Sequence, residues 1–212
     1  LRLVADDGEL WRSALLELRV LPPGARIEQF WDFQRPLDRQ GWSAHNTGTV
    51  TQEWENCRSL PVDYVGGGHW IVAFNSARGA QLRSRDELDL EAARVPVLAI
   101  KVLNRTNADR MRVRWTTTDS PEFDGERHLD VAMRTDDDLP EWYFAPVGSS
   151  PHWRGRIRQL CLEFATPEPV TGTLRFDDLA LGRWPLAVSP PRASALRAVA
   201  SSRHGGLARA SK

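Results

Sequence analysis

Arg110-Met111-Arg112-Val113-Arg114-Trp115-Thr116-Thr117 is the stretch whose reading decides the fold. Its side chains alternate. Met111, Val113, Trp115 and Thr117 fall on one face, and Arg112, Arg114 and Thr116 fall on the other. That is the two-residue period of an extended strand, not the 3.6-residue period of a helix. A strand with one dry and one wet face belongs in an antiparallel sheet packed on one side. Upstream, Leu98, Ile100 and Val102 repeat the pattern with Lys101 opposite them. Downstream, Leu129, Val131 and Met133 repeat it with Asp130 and Arg134 opposite.

The same signal recurs along the chain. Extended runs are expected over residues 27–33, 47–54, 69–75, 81–90, 96–104, 110–117, 128–134, 142–147, 157–164 and 173–182. Gly41, Gly66-Gly67-Gly68 and the acidic runs 119–126 and 136–138 read as turns between them. Short strands at ~8–12-residue spacing, with no helical crossover, predict an all-β chain. The fold expected is a two-sheet antiparallel β-sandwich of jelly-roll type over residues 27–188. Residues 1–26 read as an additional N-terminal β-hairpin turning at Asp6-Asp7-Gly8, or as the end of a preceding domain. Helix is the competing reading of residues 9–20, because Leu10, Ala14, Leu15 and Leu18 can share a face. Residues 189–212 are rich in Ala, Ser, Arg and Gly and read as a flexible tail.

Composition excludes several functions. The 212 residues carry 28 basic and 28 acidic side chains, for a net charge of zero, which argues against a nucleic-acid partner. No apolar run reaches the ~18 residues of a membrane span, so no membrane insertion is expected. No signal peptide is legible, and a chain beginning at Leu1 reads as a trimmed or internal piece. Cys57 and Cys161 are either one disulfide of an exported protein or two buried thiols. No Cys/His cluster has zinc spacing. No nucleophile elbow, phosphate-cradling loop or His-Glu metal motif is present, and His45, His69, His128 and His152 are scattered singles. Glu122 and Asp124 have the chemistry of a glycosidase carboxylate pair, but an acidic turn explains them equally. The chain therefore reads as a non-enzyme.

Nine tryptophans remain to be divided. Trp42, Trp70, Trp115, Trp142 and Trp153 read as core, being in phase with apolar neighbours or following a strand-entry glycine run. Trp54, between Glu53 and Glu55, and Tyr64, in a loop rich in Pro, Asp and Gly, read as exposed rings on which a sugar can stack. An apolar patch around Trp11, Trp31 and Trp184 would mark a surface packed against another domain.

Three segments carry a family resemblance. They are Trp31-Asp32-Phe33 with Gly41-Trp42; Trp142-Tyr143-Phe144-Ala145-Pro146-Val147 with Trp153-Arg154-Gly155-Arg156-Ile157; and Leu174-Arg175-Phe176-Asp177-Asp178-Leu179. Over residues 27–183 the pattern resembles the galactose-binding-like jelly roll of carbohydrate-binding modules and of accessory domains in bacterial polysaccharide-acting proteins. The resemblance implies a non-catalytic carbohydrate-binding or accessory module of a larger exported or membrane-anchored protein, at an extracellular, periplasmic or cell-surface address. It also implies a structural calcium held by Asp177 with Asp32. Gln34 departs from the glutamate often found in such modules and leaves that site short of carboxylates. The ligand expected is a polysaccharide or glycan, met by Trp54, Tyr64 and the wet-face residues Lys101, Arg112, Arg114 and Arg134. Guanidinium forks match carboxylate or sulfate, so the glycan is expected to be anionic if these strands adjoin. The alternatives are a structural or interaction sandwich packing on a neighbouring domain of the parent chain or a subunit, and a glycoside hydrolase or lyase using the acidic loops.

Overall fold

Alternation of large apolar and polar residues, interrupted by turns, gives a chain made almost wholly of strands. The computed structural model describes residues 2–6, 11–15, 24–33, 39–47, 69–164 and 166–184. β1 (Arg2–Asp6) and β2 (Trp11–Leu15) pair antiparallel as a separate two-stranded sheet, so Trp11–Leu15 is extended and not helical. There follow β3 (Arg26–Trp31), β4 (Ser43–His45), β5 (Trp70–Ala77), β6 (Ala80–Arg83), β7 (Leu90–Glu91), β8 (Val97–Thr106), β9 (Arg110–Thr117), β10 (His128–Ala132), β11 (Glu141–Ala145), β12 (Arg156–Phe164) and β13 (Val170–Arg183).

Two antiparallel sheets form the sandwich. One is ordered β10-β9-β12-β6-β4, with β7 also against β12. The other is ordered β11-β8-β13-β3, with β5 also against β13. The 14-residue β13 spans the second sheet: β8 lies along one edge of it, and β5 and β3 share the other. Gly172, at a positive φ of 103°, lets β13 pass β8 closely, since a Cβ there would lie 2.1 Å from the Arg105 carbonyl oxygen.

Register decides which side chains meet. Across the six-stranded sheet Ala44, Leu82, Leu162, Val113 and Leu129 stand in one row, and Ala80, Phe164, Met111 and Val131 stand in another. These rows face the five-stranded sheet, where Tyr143, Ile100, Leu179 and Trp31 form a row of their own. A chain of rings links the layers. Trp31 meets Trp42 edge-on at 5.4 Å, Trp42 meets Trp70, Trp70 meets Phe176, and Phe176 meets Phe164. Trp115 and Trp153 form a second T-shaped pair at 5.0 Å. Both indoles of that pair are satisfied, Trp115 donating to the His152 carbonyl and Trp153 to the Ala92 carbonyl.

Two expectations about aromatics are corrected. Trp142 is not core. It stands on β11 opposite Lys101, on the outer face of the five-stranded sheet, half-buried against Phe144 and Trp184. The strand alternates as expected, but Tyr143 takes the inward phase and Trp142 the outward one. Trp31 is not part of an outer patch with Trp184, because it is buried at the sandwich centre. The expected residues Gln34, Trp54, Cys57, Tyr64, Gly66-Gly67-Gly68 and the tail 189–212 lie outside the described residues, as does most of the 47–54 run.

Buried polar groups staple the β8–β9 and β10–β11 corners. Asn104 is fully buried and uses all of its hydrogen-bonding capacity. Its amide donates to the carbonyls of Ala108 and Arg134 at 2.8 and 2.6 Å, and its oxygen accepts from Thr106 N and Oγ1 at 3.0 and 2.6 Å. Nearby, the Tyr143 hydroxyl donates to Asp137 Oδ2 and accepts from Arg134 N, each at 3.2 Å. Burial pushes the phenol up to about 12 and also raises the Asp137 carboxyl.

Asn104→Asp keeps the shape but turns two donors into acceptors facing carbonyls, so it is expected to cost about 3 kcal/mol, read from urea unfolding at neutral pH. Tyr143 is expected to ionise near 12 in an ultraviolet titration, against about 10 for an unfolded tyrosine. Its contribution to stability is then complete below pH ~10 and lost as pH rises through about 12.

Candidate functional site

The outer face of the six-stranded sheet carries two polar rows, produced by the same registers that bury the apolar ones. The first runs Ser43, Arg83, Cys161, Arg114, His128 across β4, β6, β12, β9 and β10. The second runs His45, Gln81, Glu163, Arg112, Asp130 across the same strands. Neighbours in a row are within side-chain reach of one another, and they join into a ladder. Arg83 donates to Gln81 Oε1 through Nε and Nη2 at 3.1 and 2.7 Å. Gln81 donates in turn to Glu163 Oε2 at 3.3 Å, and Arg114 Nη1 reaches the same oxygen at 3.2 Å. Arg112 grips Asp130 with two bonds at 2.7 and 3.0 Å. That fork holds the Asp130 carboxyl below the usual carboxylate range.

A half-buried ring stands over this ladder. Phe123, from the loop between β9 and β10, lies 5.3 Å from the Arg83 guanidinium carbon and 5.5 Å from that of Arg114, inside cation–π range. Its loop is shaped by Asp124, whose carboxylate caps the backbone N–H groups of Glu126 and Arg127 at 2.9 Å each. The Arg127 backbone bond holds the Asp124 carboxyl low. Asp124 is thus ionised and committed to a turn, and it lacks the raised value that a general acid needs. Arg114 Nη2 bonds the Asp124 carbonyl at 3.0 Å and ties the loop to the sheet.

Arg112 and Arg114 both have carboxylate partners, whereas Arg83 Nε and Nη2 donate to the neutral Gln81 amide. His45, hydrogen-bonded to Ser43 at 2.9 Å, is pushed down first by desolvation and then by the charge of Arg83. Between the guanidiniums, Cys161 is a free buried thiol that burial pushes up to about 11, which makes it a packing residue and not a nucleophile.

The four basic residues expected to form one patch are split. Arg112 and Arg114 share this face. Lys101 does not, because β8 belongs to the other sheet. Arg134 lies just past β10, largely exposed, against Glu141 and Asp137. Alternation locates a residue on a face of its own strand but says nothing about which sheet takes that strand. The members missed were Arg83, Gln81, Glu163 and Phe123. The first three were legible as the wet phase of their strands, and Phe123 was hidden in a turn-like acidic run.

The two carboxylates expected to hold calcium are occupied by protein groups. Asp32 accepts from the Gln40 amide at 2.6 Å. Asp177, nearly buried, has the Lys101 ammonium at 2.5 Å and His69 Nδ1 at 3.5 Å. Among the described residues no group of three or more His, Cys, Asp and Glu is placed to hold a metal. An ammonium against Asp177 already fills the electrostatic role of a cation, so this site does not fit calcium.

No family model matches the chain, and no curated protein matches it. Solved structures resemble it in fold. A family 11 carbohydrate-binding module from Clostridium thermocellum, in complex with a β-1,3-1,4-mixed-linked tetrasaccharide, is 14% identical, with 74% of this chain and 94% of that one covered at TM-score 0.47. The C-terminal family 22 carbohydrate-binding module of Clostridium thermocellum Xyn10B is 11% identical, with 79% and 100% covered at TM-score 0.44. The enzymatically active domain of bacteriophage CBA120 tailspike protein 4 is 13% identical, with 71% of this chain but 20% of that one covered, at TM-score 0.48.

Lys101→Met removes the ammonium held against the nearly buried Asp177 and is expected to lower stability by about 3 kcal/mol, measured by urea unfolding. Calcium or a chelator is expected to leave the melting temperature of the wild-type chain unchanged.

Proposed function

We propose that the chain is a non-catalytic carbohydrate-binding or accessory module that lays an acidic glycan across the outer face of the six-stranded sheet. The observation that carries this reading is the pair of cross-strand rows capped by Phe123. A ring face for C–H stacking stands beside a row of planar donors and acceptors. Gln81, Glu163 and Arg112 suit sugar hydroxyls. Arg83, the guanidinium on this face that pairs with an amide instead of a carboxylate, suits a uronate or sulfate group. Trp54 and Tyr64 belong to this reading as further stacking rings. A larger exported or membrane-anchored parent protein, at an extracellular, periplasmic or cell-surface address, supplies the avidity that a single shallow face lacks.

A second reading is favoured by one observation. On the outer face of the five-stranded sheet Phe144, Ala99, Ala180 and Phe30 stand in a row next to Trp142 and Trp184. Ala99 and Ala180 are fully buried there. An apolar row on the outer face of a sheet suits a domain that packs against a neighbour. Light scattering on the purified chain tests this reading, and a strictly monomeric species with no dye-accessible apolar surface removes it.

Affinity electrophoresis through neutral and acidic polysaccharides tests the glycan reading. Retardation by an acidic polymer is expected, weakening as salt rises. Phe123→Ala and Arg83→Gln are each expected to weaken it roughly tenfold, about 1.4 kcal/mol. Migration unaffected by every polymer sinks the reading. Retardation by neutral polymers alone removes only the acidic preference.

A further inference from the structure

The start of β3 and the end of β13 meet with Arg26 directly opposite Arg183. Like charges set opposite each other across a strand pair repel. Neither guanidinium has a hydrogen bond or ion pair among the described residues. A bulge falls between Leu181 and Gly182, and a Cβ on Gly182 would lie 2.1 Å from the Arg26 carbonyl oxygen. Glycine thus permits the close strand approach that sets Arg26 opposite Arg183.

A third guanidinium completes the arrangement. Arg94, from the short turn after β7, donates to both oxygens of Glu28 at 2.9 and 3.1 Å. Arg26, Arg94, Arg183, Glu28 and Gly24 line a groove of about 430 Å³. Among the described residues lining it, three cations stand against one anion, itself already engaged, an excess of two positive charges. None of these residues belongs to the glycan face, which lies on the other sheet.

We propose that this groove binds a doubly charged oxyanion, the phosphate monoester of a sugar-sized molecule. The charge of such a group near neutral pH approaches −2 and balances the excess. Its tetrahedral oxygens take donors from Arg26 and Arg183 at once, which planar guanidiniums supply as forks. The volume falls in the ~300–1,000 Å³ range of small-molecule pockets, far above that of a bare ion. Binding turns a repulsive cross-strand pair into a bridged one, so the ligand also stabilises the fold.

Calorimetry and thermal melting of the whole chain test this with glucose 6-phosphate, glucose 6-sulfate, glucose and inorganic phosphate, at ionic strength matched with sodium chloride. Glucose 6-phosphate is expected to bind and to raise the melting temperature, singly charged glucose 6-sulfate to bind at least tenfold more weakly, and glucose to do neither; equal binding of the two charged sugars overturns the match to a double charge. Arg26→Gln and Arg183→Gln should each weaken binding at least tenfold. Each should also raise the melting temperature of the ligand-free chain, a gain that merely structural arginines would not produce. Arg105→Gln, an exposed arginine at the other end of β8, should leave binding unchanged. Equal stabilisation by sodium chloride alone, or binding that survives in the Arg26→Gln/Arg183→Gln double variant, overturns the proposal. Inorganic phosphate binding as tightly as glucose 6-phosphate overturns the sugar-sized part of it.

Discussion

The register between β9 and β12 is the constraint on which the rest of the structure depends. Leu162 stands opposite Val113, and Phe164 opposite Met111, which puts both rows into the core. The same register places Cys161 opposite Arg114 and Glu163 opposite Arg112 on the outside. A slip of one residue would exchange the two sets, driving guanidiniums into an apolar layer and apolar side chains into water. Burial and site geometry are therefore one choice. Trp115 reinforces it, since its ring packs on Trp153 and its N–H is bonded to the His152 carbonyl.

Charge in this neutral chain is organised by sheet. The six-stranded sheet turns its basic residues outward in a ladder where each guanidinium is held by an acid, an amide or a ring. The five-stranded sheet takes its one lysine onto a nearly buried carboxylate, at Lys101 and Asp177. The two arrangements differ in what they permit. A ladder at the surface can exchange its hydrogen bonds for those of a ligand at little cost. A cation locked onto a buried carboxylate cannot, because separating them leaves an uncompensated charge.

The strands were legible to within a few residues wherever alternation ran for five residues or more, as in β8, β9 and β12. β4 was not, because three residues, Ser43–His45, are too few to show a period. The role of Asp124 was equally hidden. Carboxylates spaced along an acidic run suggest catalysis as readily as turn capping, and only the bonds to Glu126 N and Arg127 N decide between them. Trp142 shows the limit of family-like patterns. In Trp142-Tyr143-Phe144 all three residues are aromatic, so composition alone does not say which phase points inward.

The sequence by itself determined the all-β class, the phase of most strands, and the presence of Arg112 and Arg114 on a wet face. These follow from a period of two, which is local. The tertiary structure alone decided which strands adjoin. It put Arg83 and Phe123 beside Arg114, sent Lys101 to the other sheet, and set Arg26 against Arg183. The physical reason is that strand pairing is made by backbone hydrogen bonds between segments far apart in the chain, and those bonds are blind to the side chains that they bring together.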